Sequence, residues 1–163
     1  FAPISMKFIT DLCAYLHQRQ FQKADFFAMG AFTYEGNKQS LIAQLFSKFQ
    51  NTAEAYEFFF YDLMKLFEQN CTYTITQISD TSLTLEYLTN SDVAVESGAR
   101  HLGSCHVCQI KAGAIASIPR YLGLPASKVK EVACVHDGDA VCRLEVDFSE
   151  AKKVQVSRPF LTH

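Results

Sequence analysis

Glu131-Val132-Ala133-Cys134-Val135-His136-Asp137-Gly138-Asp139-Ala140-Val141-Cys142-Arg143-Leu144-Glu145-Val146 carries two cysteines about a central Asp-Gly pair. Cys134 and Cys142 each lie four residues from Gly138, one on either side. An Asp-Gly turn between two apolar-rich runs signals a β-hairpin, so strands are expected over 129–136 and 140–148, around a turn at 137–139. With the turn centred on Gly138 the two cysteines face each other, and directly opposed Cβ atoms lie roughly 4.5–5.5 Å apart. Two thiolates at that separation can share a tetrahedral metal ion with Zn–S bonds of about 2.3 Å. Glu131, in the same strand, offers a carboxylate. It precedes Cys134 by three residues, which in a regular strand sends the two side chains to opposite faces. A bulge, or a strand that starts after Glu131, is needed to bring both to one ion. Upstream, Cys105-His106-Val107-Cys108 holds three further candidate donors. Two other readings stay open: Cys134 and Cys142 as small buried hydrophobes, or as a cross-strand disulfide.

Working outward, Cys71 to Ile78 and Ser82 to Leu88 are rich in Thr, Ile, Tyr and Leu around Ser79-Asp80-Thr81, which predicts a second hairpin. The first half reads as helical. Ser5 is placed to cap a helix over 6–20, with Phe8, Ile9, Leu12 and Leu16 on one face. Residues 25–38 are aromatic and punctuated by Gly30 and Gly36, which suggests turns. A helix over 39–50 would bury Leu41, Leu45 and Phe49, and another over 52–69 carries Tyr56, Phe60, Leu63 and Phe67 as a stripe widened by Phe59, Leu66 and Met64. Residues 91–121 read as helical with Gly98, Gly103 and Gly113 inside them and Pro119 marking a kink or end. Helices, strands, helix, strands in that order describe an α+β domain, with helices packed on an antiparallel sheet.

The chain has 163 residues, 48% hydrophobic and 20% charged, enough for one domain with a sizeable core. A net charge of -2 without a basic stripe argues against direct nucleic-acid binding. No run approaches the ~18 apolar residues of a membrane span, and no signal peptide is visible, so a cytoplasmic location is expected. The chain starts at Phe1 and is read as a piece of a longer protein: residues 1–150 form the domain, and the polar tail 151–163 begins a linker to an output module. Six cysteines in a chain of this size, with nothing pointing to export, favour metal binding or free thiols over a disulfide framework. Fourteen Phe residues are a heavy load, and Phe lines pockets for apolar or aromatic ligands as well as filling cores. No nucleophilic triad, carboxylate pair or phosphate loop stands out, so the domain is not read as an enzyme.

Gly123-Leu124-Pro125, then Glu131-x-x-Cys134, Asp137-Gly138-Asp139 and Cys142-Arg-Leu-Glu-Val, with Cys108 upstream, resemble the C-terminal signature of 4-vinyl reductase domains. The resemblance covers about residues 95–148. It implies a fold related to TRAPP-type trafficking subunits and to haem-based NO sensors, enclosing a hydrophobic cavity. In the aromatic-sensing members, three Cys and one Glu hold a structural zinc; here that set would be Cys108, Glu131, Cys134 and Cys142, with Cys105 and His106 as supporting or redox-active neighbours. The function implied is a sensory, regulatory domain that binds a small apolar or aromatic effector, forms a homodimer and controls an output module in signal transduction. Candidate pocket residues are Phe27, Phe32, Tyr56, Phe59, Phe60 and Tyr87. The phenol-sensing members grip the hydroxyl with a His and a Trp, and this chain has no Trp. Alternatives are a trafficking-type interaction scaffold with a filled cavity, a tetrapyrrole-binding accessory factor with haem held by His17, His101, His106 or His136, and a redox sensor using Cys105 and Cys108.

Overall fold

Alternation along two strands sets the core. In β2 (Ser82–Thr89) Leu83, Leu85 and Tyr87 are buried, and in β4 (Cys142–Asp147) Cys142, Leu144 and Val146 are buried, every second residue in each case. In the computed structural model, which describes residues 6–97 and 101–151, these are the two central strands of a four-stranded antiparallel sheet ordered β1-β2-β4-β3. β1 (Cys71–Ile78) and β3 (Lys128–Ala133) form the edges. Each edge strand carries one extra residue: Thr76, between Ile75 and Gln77, and Val132, between Glu131 and Ala133.

The helices cover one face of this sheet. They are α1 (Met6–Gln18), α2 (Lys23–Ala31), α3 (Thr33–Asn37), α4 (Leu41–Phe46), α5 (Thr52–Phe58), α6 (Met64–Phe67), α7 (Ser91–Ser97) and α8 (Cys105–Ala116). A π-helical turn, Phe59–Leu63, joins α5 to α6, and a 3₁₀ turn, Ile118–Leu122, follows α8. α8 is the central helix. Ser104 caps it by accepting the Val107 N–H, and it packs against α2 and α1 on one side and β3 and β4 on the other. Its buried residues Val107, Cys108, Ala112, Gly113, Ile115 and Ala116 therefore follow no single stripe.

α2 and α8 touch backbone to backbone. A Cβ on Gly30 would lie 1.8 Å from the Ile110 carbonyl oxygen, and one on Gly113 would lie 1.9 Å from that of Phe27. Glycine permits this approach because it has no side chain. Gly30 is thus an internal residue of α2, which corrects its reading as a turn; residues 25–38 are largely helical.

Other expectations shift for packing reasons. The helix expected over 39–50 contracts to Leu41–Phe46, and its buried residue is Phe46, while Leu41 is 75% exposed and Leu45 is also exposed. On α1 the inward residues are Ile9, Cys13 and Leu16, while Phe8, 59% exposed, and Leu12 face outward. In the helix expected over 52–69, Tyr56, Phe60 and Leu63 are buried, but Leu66 and Phe67 are exposed beyond the π turn. The single helical segment expected over 91–121 is two helices and a 3₁₀ turn. Ser5, Gly98 and the tail from 152 onward lie outside the described residues. Among the described residues no helix is long and apolar enough to cross a membrane.

Candidate metal centre and ligand cavity

Cys108 points from the first turns of α8 toward the end of the β3–β4 ribbon, where Cys134 and Cys142 face it. The three sulfurs lie within 4.8 Å of one another, and Cys108 Sγ is 3.9 Å from both Cys142 Sγ and Cys134 Sγ. Two sulfurs on one tetrahedral zinc are about 3.8 Å apart, given Zn–S bonds of about 2.3 Å. A disulfide would need about 2.0 Å, and all three cysteines are free thiols. The cluster is therefore open to a metal ion.

The turn is built to hold this arrangement. A short 3₁₀ turn, Val135–Asp137, replaces the tight Asp-Gly turn expected there, and Gly138 at φ 102° ends it in the left-handed region. The Cys134 N–H donates to Asp139 Oδ2 at 2.8 Å, and the Val135 N–H donates to Cys142 Sγ at 3.4 Å. Hydrogen bonding with Cys108 and from the Val135 N–H lowers the Cys142 pKa against the opposing effect of burial. Burial pushes Cys134 up to about 12.

Glu131 reaches the same corner because Val132 is the extra residue of the β3 bulge, the irregularity that the E-x-x-C spacing requires. Its Oε2 accepts from Gln109 Nε2 at 2.6 Å, while Oε1 is buried without a hydrogen-bond partner. Burial raises the pKa of this carboxyl. Glu131 is not among the donors that lie within 4.8 Å of one another, though its carboxyl lies beside Cys134 and keeps one buried oxygen without a hydrogen-bond partner, which costs about 1–3 kcal/mol when left unpaired. Cys105 is half-buried against the core and is not part of the sulfur cluster. His106 turns away: its ring stacks against His17 and Phe26, each at 4.5 Å, and burial lowers its pKa.

A cavity of about 280 Å³ lies further along α8, between the π turn and the 3₁₀ turn. Phe46, Phe59, Phe60, Ile115 and Tyr121 are among its walls. The π turn aims both Phe59 and Phe60 at it. Phe27, Phe32, Tyr56 and Tyr87 are not in its lining. Phe32 is 67% exposed, and Phe27 packs at the core's margin. Tyr56 is fully buried, its hydroxyl 3.0 Å from the Ile115 carbonyl oxygen and 2.9 Å from Ser127 Oγ. Tyr87 lies between the cavity and the cysteines, with its hydroxyl unpartnered.

Sequence reading missed a polar cluster at one end of the cavity. Lys111 Nζ donates to Glu68 Oε1 at 2.8 Å, to Tyr73 Oη at 2.9 Å and to Cys71 Sγ at 3.4 Å. Tyr73 Oη donates to Glu68 Oε2 at 2.5 Å. The ammonium also sits over the rings of Tyr73 and Tyr87, 5.3 and 5.1 Å from their centroids. Burial alone would raise the Glu68 pKa, but the Lys111 charge and these hydrogen bonds outweigh it and leave the carboxyl below its ordinary value. Burial alone would lower that of Lys111, and the surrounding Tyr73 and Glu68 reverse the sign. The available signal was a lone cation on an otherwise apolar helix, three residues after Cys108.

No family model matches the sequence, and no curated protein sequence matches it. Solved structures do match in fold. The phenol-responsive sensory domain of the transcription activator PoxR, solved with phenol, superposes with a TM-score of 0.60 at 14% identity, over 90% of this chain and 76% of that one. The H-NOX domain of Shewanella oneidensis SO2144, as an H103G mutant in the Fe(II)CO state, gives 0.57 at 13% identity over 89% and 76%. An H-NOX protein of K. algicida gives 0.50 at 9% identity over 77% and 62%. The chain therefore has the α+β fold that a phenol-responsive sensory domain and H-NOX domains share, with helices on a four-stranded antiparallel sheet and a cysteine triad at the C-terminal hairpin.

Proposed function

We propose that this chain is a sensory domain that binds a small apolar or aromatic molecule in the cavity behind α8, regulates an attached or partner output module and is stabilised by one zinc ion. The observation that carries this reading is the cavity itself: about 280 Å³, walled by Phe46, Phe59, Phe60 and Tyr121. An engineered apolar cavity of about 150 Å³ suffices to bind benzene. The likeness in fold to a phenol-responsive sensory domain supports it. An interaction scaffold whose pocket is filled by core side chains fits this volume poorly. Haem fits less well: among the described residues no His or Cys lines the cavity, which leaves only Met64, Tyr73 and Tyr121 as axial candidates.

Cys108, Glu131, Cys134 and Cys142 are the proposed zinc ligands. Four protein donors close the coordination sphere, so the ion's part is structural: it ties α8 to the β3–β4 ribbon. A second copy of the chain is the proposed partner, and the outward Phe8, Leu12 and Tyr15 on α1 support it; sedimentation velocity reads this.

The test is a thermal-shift screen of one- and two-ring aromatic compounds, combined with metal analysis of the purified chain. A ligand present at about 100 times its Kd stabilises by about 2.7 kcal/mol, which a thermal scan resolves. A screen without a single stabilising compound would falsify the ligand reading. Metal analysis is expected to give one zinc per chain, and Cys108→Ser is expected to lose it. Full zinc retention by Cys108→Ser would remove that residue from the ligand set.

A further inference from the structure

We propose that Glu68 is a specificity residue and selects uncharged ligands bearing a hydrogen-bond donor (a hydroxyl, phenol or neutral amine) over ligands whose head only accepts. This rests on the reading that the cavity takes a ligand.

At the polar end of the cavity Glu68, Tyr73 and Lys111 all contribute to the lining. The Lys111 ammonium has three N–H groups, and they go to Glu68 Oε1, Tyr73 Oη and Cys71 Sγ. The one O–H of Tyr73 goes to Glu68 Oε2. The Ser117 hydroxyl donates to the Ala114 carbonyl, and that of Thr33 to the Gly30 carbonyl. Every donor of the cluster is thus committed. Glu68 is not saturated. A carboxylate offers about four lone-pair sites, of which Lys111 and Tyr73 occupy two. A weak S–H from Cys71 still leaves at least one.

A ligand head placed against Glu68 therefore meets spare acceptor capacity and no spare donor from this cluster; the other side-chain donors of the lining are the Tyr121 hydroxyl and the second N–H of Asn37. An O–H or N–H head fills it. An aldehyde or ether oxygen finds no partner and faces a carboxylate. Charge narrows the class further. The Glu68–Lys111 pair is neutral as a unit, and its side chains are only 16% and 15% exposed. A ligand carboxylate or ammonium would lose its water in a site whose own two charges already cancel, so its desolvation is left without a counter-charge.

Isothermal titration of the intact chain with phenol, aniline, toluene, benzaldehyde, benzoate and benzylammonium tests this. Phenol and aniline are expected to bind at least about tenfold tighter than toluene and benzaldehyde, with benzoate and benzylammonium weakest. Equal affinity for toluene and phenol overturns the donor selection and leaves the cavity as the ligand site. No binding by any of the six defeats the cavity reading itself. The double variant Glu68→Met/Lys111→Met removes both charges and the carboxylate's acceptor sites together. It is expected to bring the phenol-to-toluene ratio close to one while toluene still binds. A ratio that survives this change assigns the selection elsewhere. The wild-type series decides the matter even if the double variant does not fold.

Discussion

At the scale of single residues, the Glu68–Lys111 pair sets an acid limit on stability. The Glu68 carboxyl titrates below its ordinary value because Lys111 and its hydrogen bonds overcome the opposing effect of burial. A group depressed in the folded state stabilises fully above its unfolded pKa, about 4.3 for Glu. That contribution falls as the pH drops through the window below it and is gone under the folded pKa. Between those limits the unfolded chain binds more protons, so stability rises with pH. Glu68→Gln/Lys111→Met is expected to flatten the urea-midpoint profile between about pH 4.3 and lower values; an unchanged acid limb would count against the pair. Tyr56→Phe leaves the Ile115 carbonyl and Ser127 hydroxyl short of a partner in the core. It is expected to cost about 1–3 kcal/mol by urea denaturation. The cysteines were legible in the sequence because their spacing about Gly138 states a geometry. Glu68 and Lys111 were not, because 43 residues separate them and only the docking of α6 beside α8 joins them.

At the scale of elements, the close crossing of α2 and α8 makes the sharpest forecast. Gly→Ala in a helix ordinarily stabilises by roughly 0.5–1 kcal/mol. Here a methyl group on Gly30 or Gly113 would overlap backbone carbonyls of the facing helix, which cannot rotate away. Gly113→Ala is therefore expected to destabilise by more than about 3 kcal/mol. Gly36→Ala in α3, where the new carbon meets nothing within 4 Å, serves as the control in the same thermal melt and is expected to keep or slightly raise stability. The strands were readable from composition and turn residues: both hairpins fall within a few residues of their expected bounds. The α2 helix was not, since a glycine that serves a helix crossing looks, in sequence, like one that ends a helix. The π turn was equally silent. One extra residue per turn leaves no mark on composition, yet it sets where Phe59 and Phe60 point.

At the scale of the whole molecule, α8 joins the two candidate sites. It presents Cys108 to the sulfur cluster and, one turn later, Lys111 to the cavity, with Tyr87 lying between them. Chelation is expected to lower the melting temperature and to weaken phenol binding together, because both sites depend on the position of one helix. A chelated chain that binds phenol as before would separate them. The sheet carries another whole-molecule consequence. A regular outer strand offers its unpaired N–H and C=O groups as a template on which another chain can lay itself. Thr76 and Val132, each a residue too many, break that template on both flanks. Regular edge-to-edge pairing of copies into a continuous ribbon is disfavoured on both flanks. Deleting Thr76 would restore an even ladder along β1 and is expected to raise light scattering on heating, so that this surplus threonine acts as the molecule's guard against fibril growth.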